Sequence, residues 1–176
     1  MDKHQHIFGM ASILLQHPEQ DWLMDDLLLN EINSIDHQLV KLLFKQFHHY
    51  LKSTSYVDLC AEYAQTFDFN EKTTLYLTYS IFGDNPDRGK ALLKLKNEFK
   101  EAGYPLDSNE LPDYFPLILE FCSLVPIDIM TKMITIHKRS IDQLLKELSF
   151  KESPYQLIVQ GCVQIMDHII AKQKAS

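Results

Sequence analysis

Eight histidines, three cysteines and 24 acidic residues are the side chains of this sequence equipped for acid–base, metal or nucleophilic chemistry. Their spacing supports none of it. There is no His-Glu-x-x-His, no Glu-x-x-His of the helical di-iron kind and no Gly-x-Ser-x-Gly nucleophile elbow. Asp36-His37 and Asp167-His168 run opposite to the His-Asp dipeptide of helical phosphohydrolases, and Gly83 and Gly89 lack the Lys-Ser/Thr ending of a phosphate cradle. Cys60, Cys122 and Cys162 form no Cys-x-x-Cys pair, so they read as reduced core thiols of a cytosolic protein rather than as a disulfide framework or zinc site. His48 lies among Lys41, Lys45 and Lys52, whose charge opposes a cation, and is expected on the solvated surface. His137 falls on an apolar stripe, where a hydrogen-bonded core histidine is expected. His4 and His6 fall in a frayed terminus. No catalytic residue, metal or cofactor is assigned, and the chain reads as a non-enzyme.

The remaining candidates sit at three charged corners between apolar runs: Phe67-Asp68-Phe69, Gly83 to Gly89, and Glu110 to Glu120. In the third, seven residues separate Asp113 from Glu120, which on an α-helix returns them to nearly one face, with Glu110 a turn earlier. Tyr114, Leu117, Ile118 and Phe121 then face the core. Such an acidic edge could accept Arg or Lys from a basic peptide; a solvated acidic face is the alternative left open. The middle corner, with Asp84 and Asp87 near a helix N-terminus, reads as a structural junction, and Arg88 is expected to pair with one of several carboxylates. Seventeen basic residues against 24 acidic give a net charge of −7. That balance disfavours nucleic acid as a partner and favours a cationic one.

Positioning these corners falls to helices, because glycine is scarce and apolar residues recur at helical spacing almost throughout. The expected elements are a first helix ending near Gln16, a second from Asp21 to Asn33 with Leu23, Leu27 and Leu28 inward, and a third from Asp36 to Lys52. A fourth carries Tyr56, Cys60, Tyr63, Ala64 and Phe67. Leu75 to Phe82 reads as a short buried helix, with a strand as the alternative. Gly83 as a helix end, Asn85-Pro86 as a start and Gly103 as a stop frame the next helix. Asp107-Ser108-Asn109 are cap candidates for a helix that reaches Leu124 and holds Pro112 in its first turn. A long helix from Ile127 to Leu148 and a last one from Ser153-Pro154 follow, with Gly161 placed to permit a close crossing and residues 172–176 as a frayed tail. The whole, 1–176, reads as a single-domain all-α helical bundle. The apolar stretch Ile7 to Leu15 has no small-residue cleavage site and is shorter than the about 20 residues that span a bilayer, so no stable membrane insertion is expected.

Several phrases occur together in a particular order: Thr66-Phe67-Asp68, Leu75-Tyr76-Leu77-Thr78, Gly83-Asp84, Asp87-Arg88-Gly89-Lys90-Ala91-Leu92, Glu110-Leu111-Pro112-Asp113-Tyr114 and Leu119-Glu120-Phe121. In these the chain resembles the NarJ-type nitrate reductase molybdenum-cofactor assembly chaperones of the wider TorD/DmsD family of redox-enzyme maturation proteins. The resemblance implies a cytoplasmic, TorD-like helical chaperone that binds the apo catalytic (alpha) subunit of a respiratory nitrate reductase, chiefly through its N-terminal segment. The chaperone would permit molybdenum-cofactor insertion and delay membrane attachment. It also implies Glu110, Asp113, Tyr114 and Glu120 as partner-binding residues, while Gly83, Asp84, Asp87, Arg88 and Gly89 read from the residues themselves as the structural corner. Tyr114 stands where relatives often have His, so no histidine-based pH role carries over there. A helical metal-dependent hydrolase and a regulatory adaptor with an unrelated partner are the competing readings, and monomer and dimer both stay open.

Overall fold

The computed structural model describes residues 3–24, 26–107 and 109–175. Ser108 and Ser176, which figure in the expected cap and tail, lie outside them. The described residues form α-helices α1 (Lys3–Leu14), α2 (Leu27–Ser34), α3 (Gln38–Ser53), α4 (Tyr56–Tyr63), α5 (Tyr79–Phe82), α6 (Asp87–Glu101), α7 (Phe115–Leu124), α8 (Ile127–Phe150) and α9 (Gln156–Ala175). No strand occurs among them beyond a single antiparallel bridge. The all-α bundle expected from the spacing is what forms.

Apolar periodicity explains the packing. α9 is the hub: α1, α3 and α8 pack on it, and α7 lies against both α1 and α8. On α3 the stripe Val40, Leu43, Phe44, Phe47 and Leu51 is buried. On α8 the stripe Met130, Ile134, His137, Ile141, Leu144 and Leu148 is buried, as helical spacing requires. Tyr155, at the entry to α9, joins Phe47, Tyr63 and Phe67 in a cluster with ring centroids 4.9–5.8 Å apart and mostly edge-on, the arrangement that aromatic quadrupoles prefer.

Gly161 lets α3 and α9 approach closely, because a Cβ there would lie 2.6 Å from Cε1 of Phe44. That ring is fully buried in a close-packed interior. Gly161→Ala should therefore lose about 1–2 kcal/mol net, overpacking outweighing the about 1 kcal/mol that alanine adds in helix propensity. Urea unfolding checks this, and a stabilised variant would show that the crossing relaxes freely.

Three expectations about element boundaries are corrected. The second helix is split into a 3-10 turn at Gln20–Leu23 and α2, and Leu27 is exposed rather than inward. Residues 75–78 are extended instead of helical: Leu75 and Leu77 are buried, Tyr76 between them is not, and this period of two belongs to a strand-like segment. Only Tyr79–Phe82 completes a helical turn. α7 starts at Phe115, so Pro116 is its first-turn proline and Pro112 belongs to the preceding loop. The last helix runs through Ala175.

His48 is buried against expectation, on a helix against which α2 packs. Burial, and then the charge of Lys52, lower the pKa of its imidazole. Glycine and asparagine act as expected at the middle corner. Gly83 ends α5 at φ +52°, where a side chain would be strained, and Asn85 Oδ1 accepts from the Asp87 N–H at 2.9 Å to start α6.

Candidate functional site

The loop before α7 is bound edge-on to the extended segment before α5. Leu77 N–H donates to the Asp113 carbonyl at 3.0 Å and Phe115 N–H to the Leu75 carbonyl at 2.8 Å, closing an antiparallel bridge between Tyr76 and Tyr114. Two segments distant in sequence thus become one short ribbon, and its side chains are fixed in register.

Asp113 is the anchor of that ribbon. Its carboxylate is 0% exposed, and Oδ2 accepts from the Thr78 N–H at 3.1 Å, from the Thr78 hydroxyl and from Arg88 Nη2 at 3.2 Å. Arg88 Nε donates to the Thr78 hydroxyl at 3.0 Å, and its guanidinium lies 5.5 Å from the centre of the Tyr79 ring. Asp113 is therefore the carboxylate that Arg88 selects. The middle corner, through Arg88, ties the N-terminus of α6 to the loop carrying Glu110.

The expected single acidic edge does not form. Because α7 begins only at Phe115, Glu110 and Asp113 lie on a loop and no helical repeat aligns them with Glu120. Asp113 is turned inward and fully buried, where it positions the ribbon rather than lining an exposed edge. Glu120 is exposed on α7 and borders two other hollows, one with Gly9, Ile13 and Ser123 and one with Tyr104, Leu117 and Phe121. Glu110 is half-buried, with Oε1 accepting from Tyr76 Oη at 2.9 Å and from the Leu111 N–H at 3.0 Å. Tyr114 is half-buried beside it, its ring 5.3 Å from that of Tyr76 and its hydroxyl 3.4 Å from that of Tyr63. Burial, and then the hydrogen bond to Glu110, raise the pKa of Tyr76; burial raises that of Tyr114. Both phenols stay neutral donors at physiological pH. Gly83, Asp84, Asp87 and Gly89 sit at the turn around Arg88, with Asp84 and Asp87 exposed and Lys90 Nζ 3.0 Å from Asp87.

Over the ribbon lies an open hollow of about 470 Å³, lined by Phe67, Asp68, Phe69, Asn70, Glu71, Thr74, Tyr76, Tyr79, Arg88 and Leu111. Phe69 is 84% exposed at its edge. A π-helical turn at Ala64–Asp68 puts it there: the Phe69 N–H donates to the Ala64 carbonyl five residues back, so Phe67 stays in the core while Asp68 and Phe69 emerge. The Thr73 hydroxyl donates to the Thr66 carbonyl and holds the turn from below. Phe69 lies in the first of the three charged corners, but the sequence assigns it no contact role of its own. Its signal in the sequence is only the alternation of apolar Phe67 and Phe69 around an aspartate.

Among the described residues, no group of three or more His, Cys, Asp or Glu side chains is gathered to hold a metal ion, and no helix is long and apolar enough to cross a membrane. The bundle is thus an all-α frame whose buried Arg88–Asp113 pair supports an open aromatic hollow with acidic residues around it. Residues 36–151 match the family model described as nitrate reductase delta subunit, and the chain belongs to that family. It is 30% identical over 171 residues to the probable nitrate reductase molybdenum cofactor assembly chaperone NarJ of Bacillus subtilis, covering 94% of this chain and 90% of that protein. It is 32% identical over 124 residues to the probable chaperone NarW of Escherichia coli, covering 70% of this chain and 53% of that one. The corresponding match to Escherichia coli NarJ is 28% over 120 residues, covering 68% and 51%.

Proposed function

We propose that this chain is a cytoplasmic assembly chaperone for a respiratory nitrate reductase. It binds the apo catalytic subunit, chiefly by that subunit's N-terminal segment, holds it open for molybdenum-cofactor insertion and delays its attachment to the membrane. The relatives' names support the client. The observation that carries the contact surface is the hollow beneath Phe69: an exposed aromatic anchor, two phenol rings and the carboxylates of Asp68, Glu71 and Glu110 in one place. An amphipathic segment with a basic residue would lay its apolar side chains on Phe69, Tyr76 and Leu111 and its cation toward those acids.

Calorimetry with the client's N-terminal peptide tests both parts. Wild type should bind saturably, and Phe69→Ala should weaken binding by about 10- to 30-fold, the loss of one aromatic anchor. Glu110→Gln should weaken it by about three- to tenfold, more at low salt than at high. Glu120→Gln should leave affinity within about twofold, because Glu120 borders different hollows. If neither the peptide nor the intact apo subunit binds wild type, the client assignment is wrong. If Glu120→Gln alone abolishes binding, the surface is misplaced.

A further inference from the structure

On the other side of α5 from the Phe69 hollow, a narrower slot opens between α5, α6 and α8, about 220 Å³ in volume. Its walls are Ile81, Phe82, Ala91 and Leu95, and at its rim Ile81 and Ile136 are 59% and 45% exposed. Its inner lining is polar at two points. Thr78 is one, already engaged by Asp113 and Arg88. His137 is the other: the residue is 3% exposed, and its Nε2 has no hydrogen-bond partner among the described residues. A buried imidazole nitrogen without a partner costs folding free energy that a well-packed core would avoid, so an orphan lining an open slot calls for an explanation.

We infer that this slot is a docking pocket for one tyrosine side chain of a partner protein, with the ring between Ile81, Leu95 and Ile136 and the phenol oxygen on Nε2 of His137. The volume falls below the about 300–1,000 Å³ of sites that enclose small molecules and suits a single side chain. A phenol fits the lining better than phenylalanine or leucine, since a hydroxyl can donate to or accept from imidazole nitrogen in either neutral tautomer. The apolar rim gives flanking residues a surface from which to exclude water, as around other buried anchors. Lys94 also lines the mouth and carries no ion pair among the described residues, while Glu98 beside it is taken by Lys132. The net local charge therefore favours a carboxylate next to the tyrosine. The inference does not rest on the nitrate reductase client, because the slot and the Phe69 hollow share no lining residue.

The test uses the full chain labelled with ¹⁵N at histidine and on the backbone, titrated with p-cresol, toluene and N-acetyltyrosine amide. p-Cresol should shift the resonances of Ala91, Leu95, Ile136 and the His137 ring saturably, and bind on the order of tenfold tighter than toluene, which leaves Nε2 unpaired. N-acetyltyrosine amide should perturb the same residues. His137→Leu, which removes the orphan and keeps the packing, should bring p-cresol and toluene within about twofold. Ala91→Phe, or Ile81→Glu if that variant misfolds, should abolish the shifts. The inference is overturned if p-cresol gives no saturable shift at these residues, or if toluene binds equally well to wild type. It is equally overturned if only the free phenol enters and the tyrosine derivative does not.

Discussion

Arg88→Met should cost about 3 kcal/mol of folding stability in urea unfolding. The reason is asymmetric burial within the pair. The arginine side chain is 21% exposed and can be rehydrated when its partner is lost, but the Asp113 side chain is 0% exposed and cannot. With Met at position 88, the aspartate keeps the two Thr78 donors and loses the only cation on its carboxylate among the described residues. The reverse change, Asp113→Asn, should cost only about 1–2 kcal/mol, since an amide oxygen still accepts from Thr78 and Arg88 turns to water. The double variant should be more stable than Arg88→Met alone, because the uncompensated buried charge is gone. A loss below about 0.5 kcal/mol for Arg88→Met would mean that the corner is held by its backbone bonds, with the ion pair incidental.

This pair also shows where reading the sequence stops. Arg88 is legible as a corner residue in search of a carboxylate, but Asp84, Asp87, Glu110 and Asp113 are all candidates and only the fold selects the one 25 residues away. The stripes of α3 and α8 are legible because their burial is periodic over 16 and 24 residues, long enough for a 3.6-residue repeat to stand out. Leu75 to Phe82 is too short and too apolar for its period to show, so the ribbon that positions Glu110 and Tyr114 stays hidden, and with it the break-up of the acidic edge. His48 fails for a different reason. Helical spacing correctly groups it with Lys41, Lys45 and Lys52, but grouping does not say that tertiary packing buries part of that face. Phe69 depends on one i→i−5 hydrogen bond, for which no residue type is a marker.

Acid should destabilise the protein through His137 before most carboxylates are protonated. Burial lowers this imidazole's pKa to about 4, against an opposing but smaller effect of the Asp113 charge, whereas in the unfolded chain it titrates near 6.5. Between those two values the unfolded state binds a proton that the folded state does not, so stability falls as pH drops from 6.5 toward 4 and this contribution levels off below. The most this group can remove is about 3 kcal/mol. His48 acts in the same direction, its pKa also lowered by burial, so wild type alone does not isolate the effect. The difference between wild type and His137→Leu does. The variant should be at least as stable at pH 7, because it replaces an unpaired buried nitrogen with methyl groups, and its advantage should grow by about 2 kcal/mol by pH 5. An advantage that stays constant with pH would show that the imidazole admits a proton in the folded state, and hence that water reaches Nε2 through the slot. A tyrosine whose hydroxyl donates to Nε2 favours the neutral imidazole, so it would add stability and widen the pH range over which wild type and the leucine variant diverge, which links the acid sensitivity of the bundle to occupation of its second pocket.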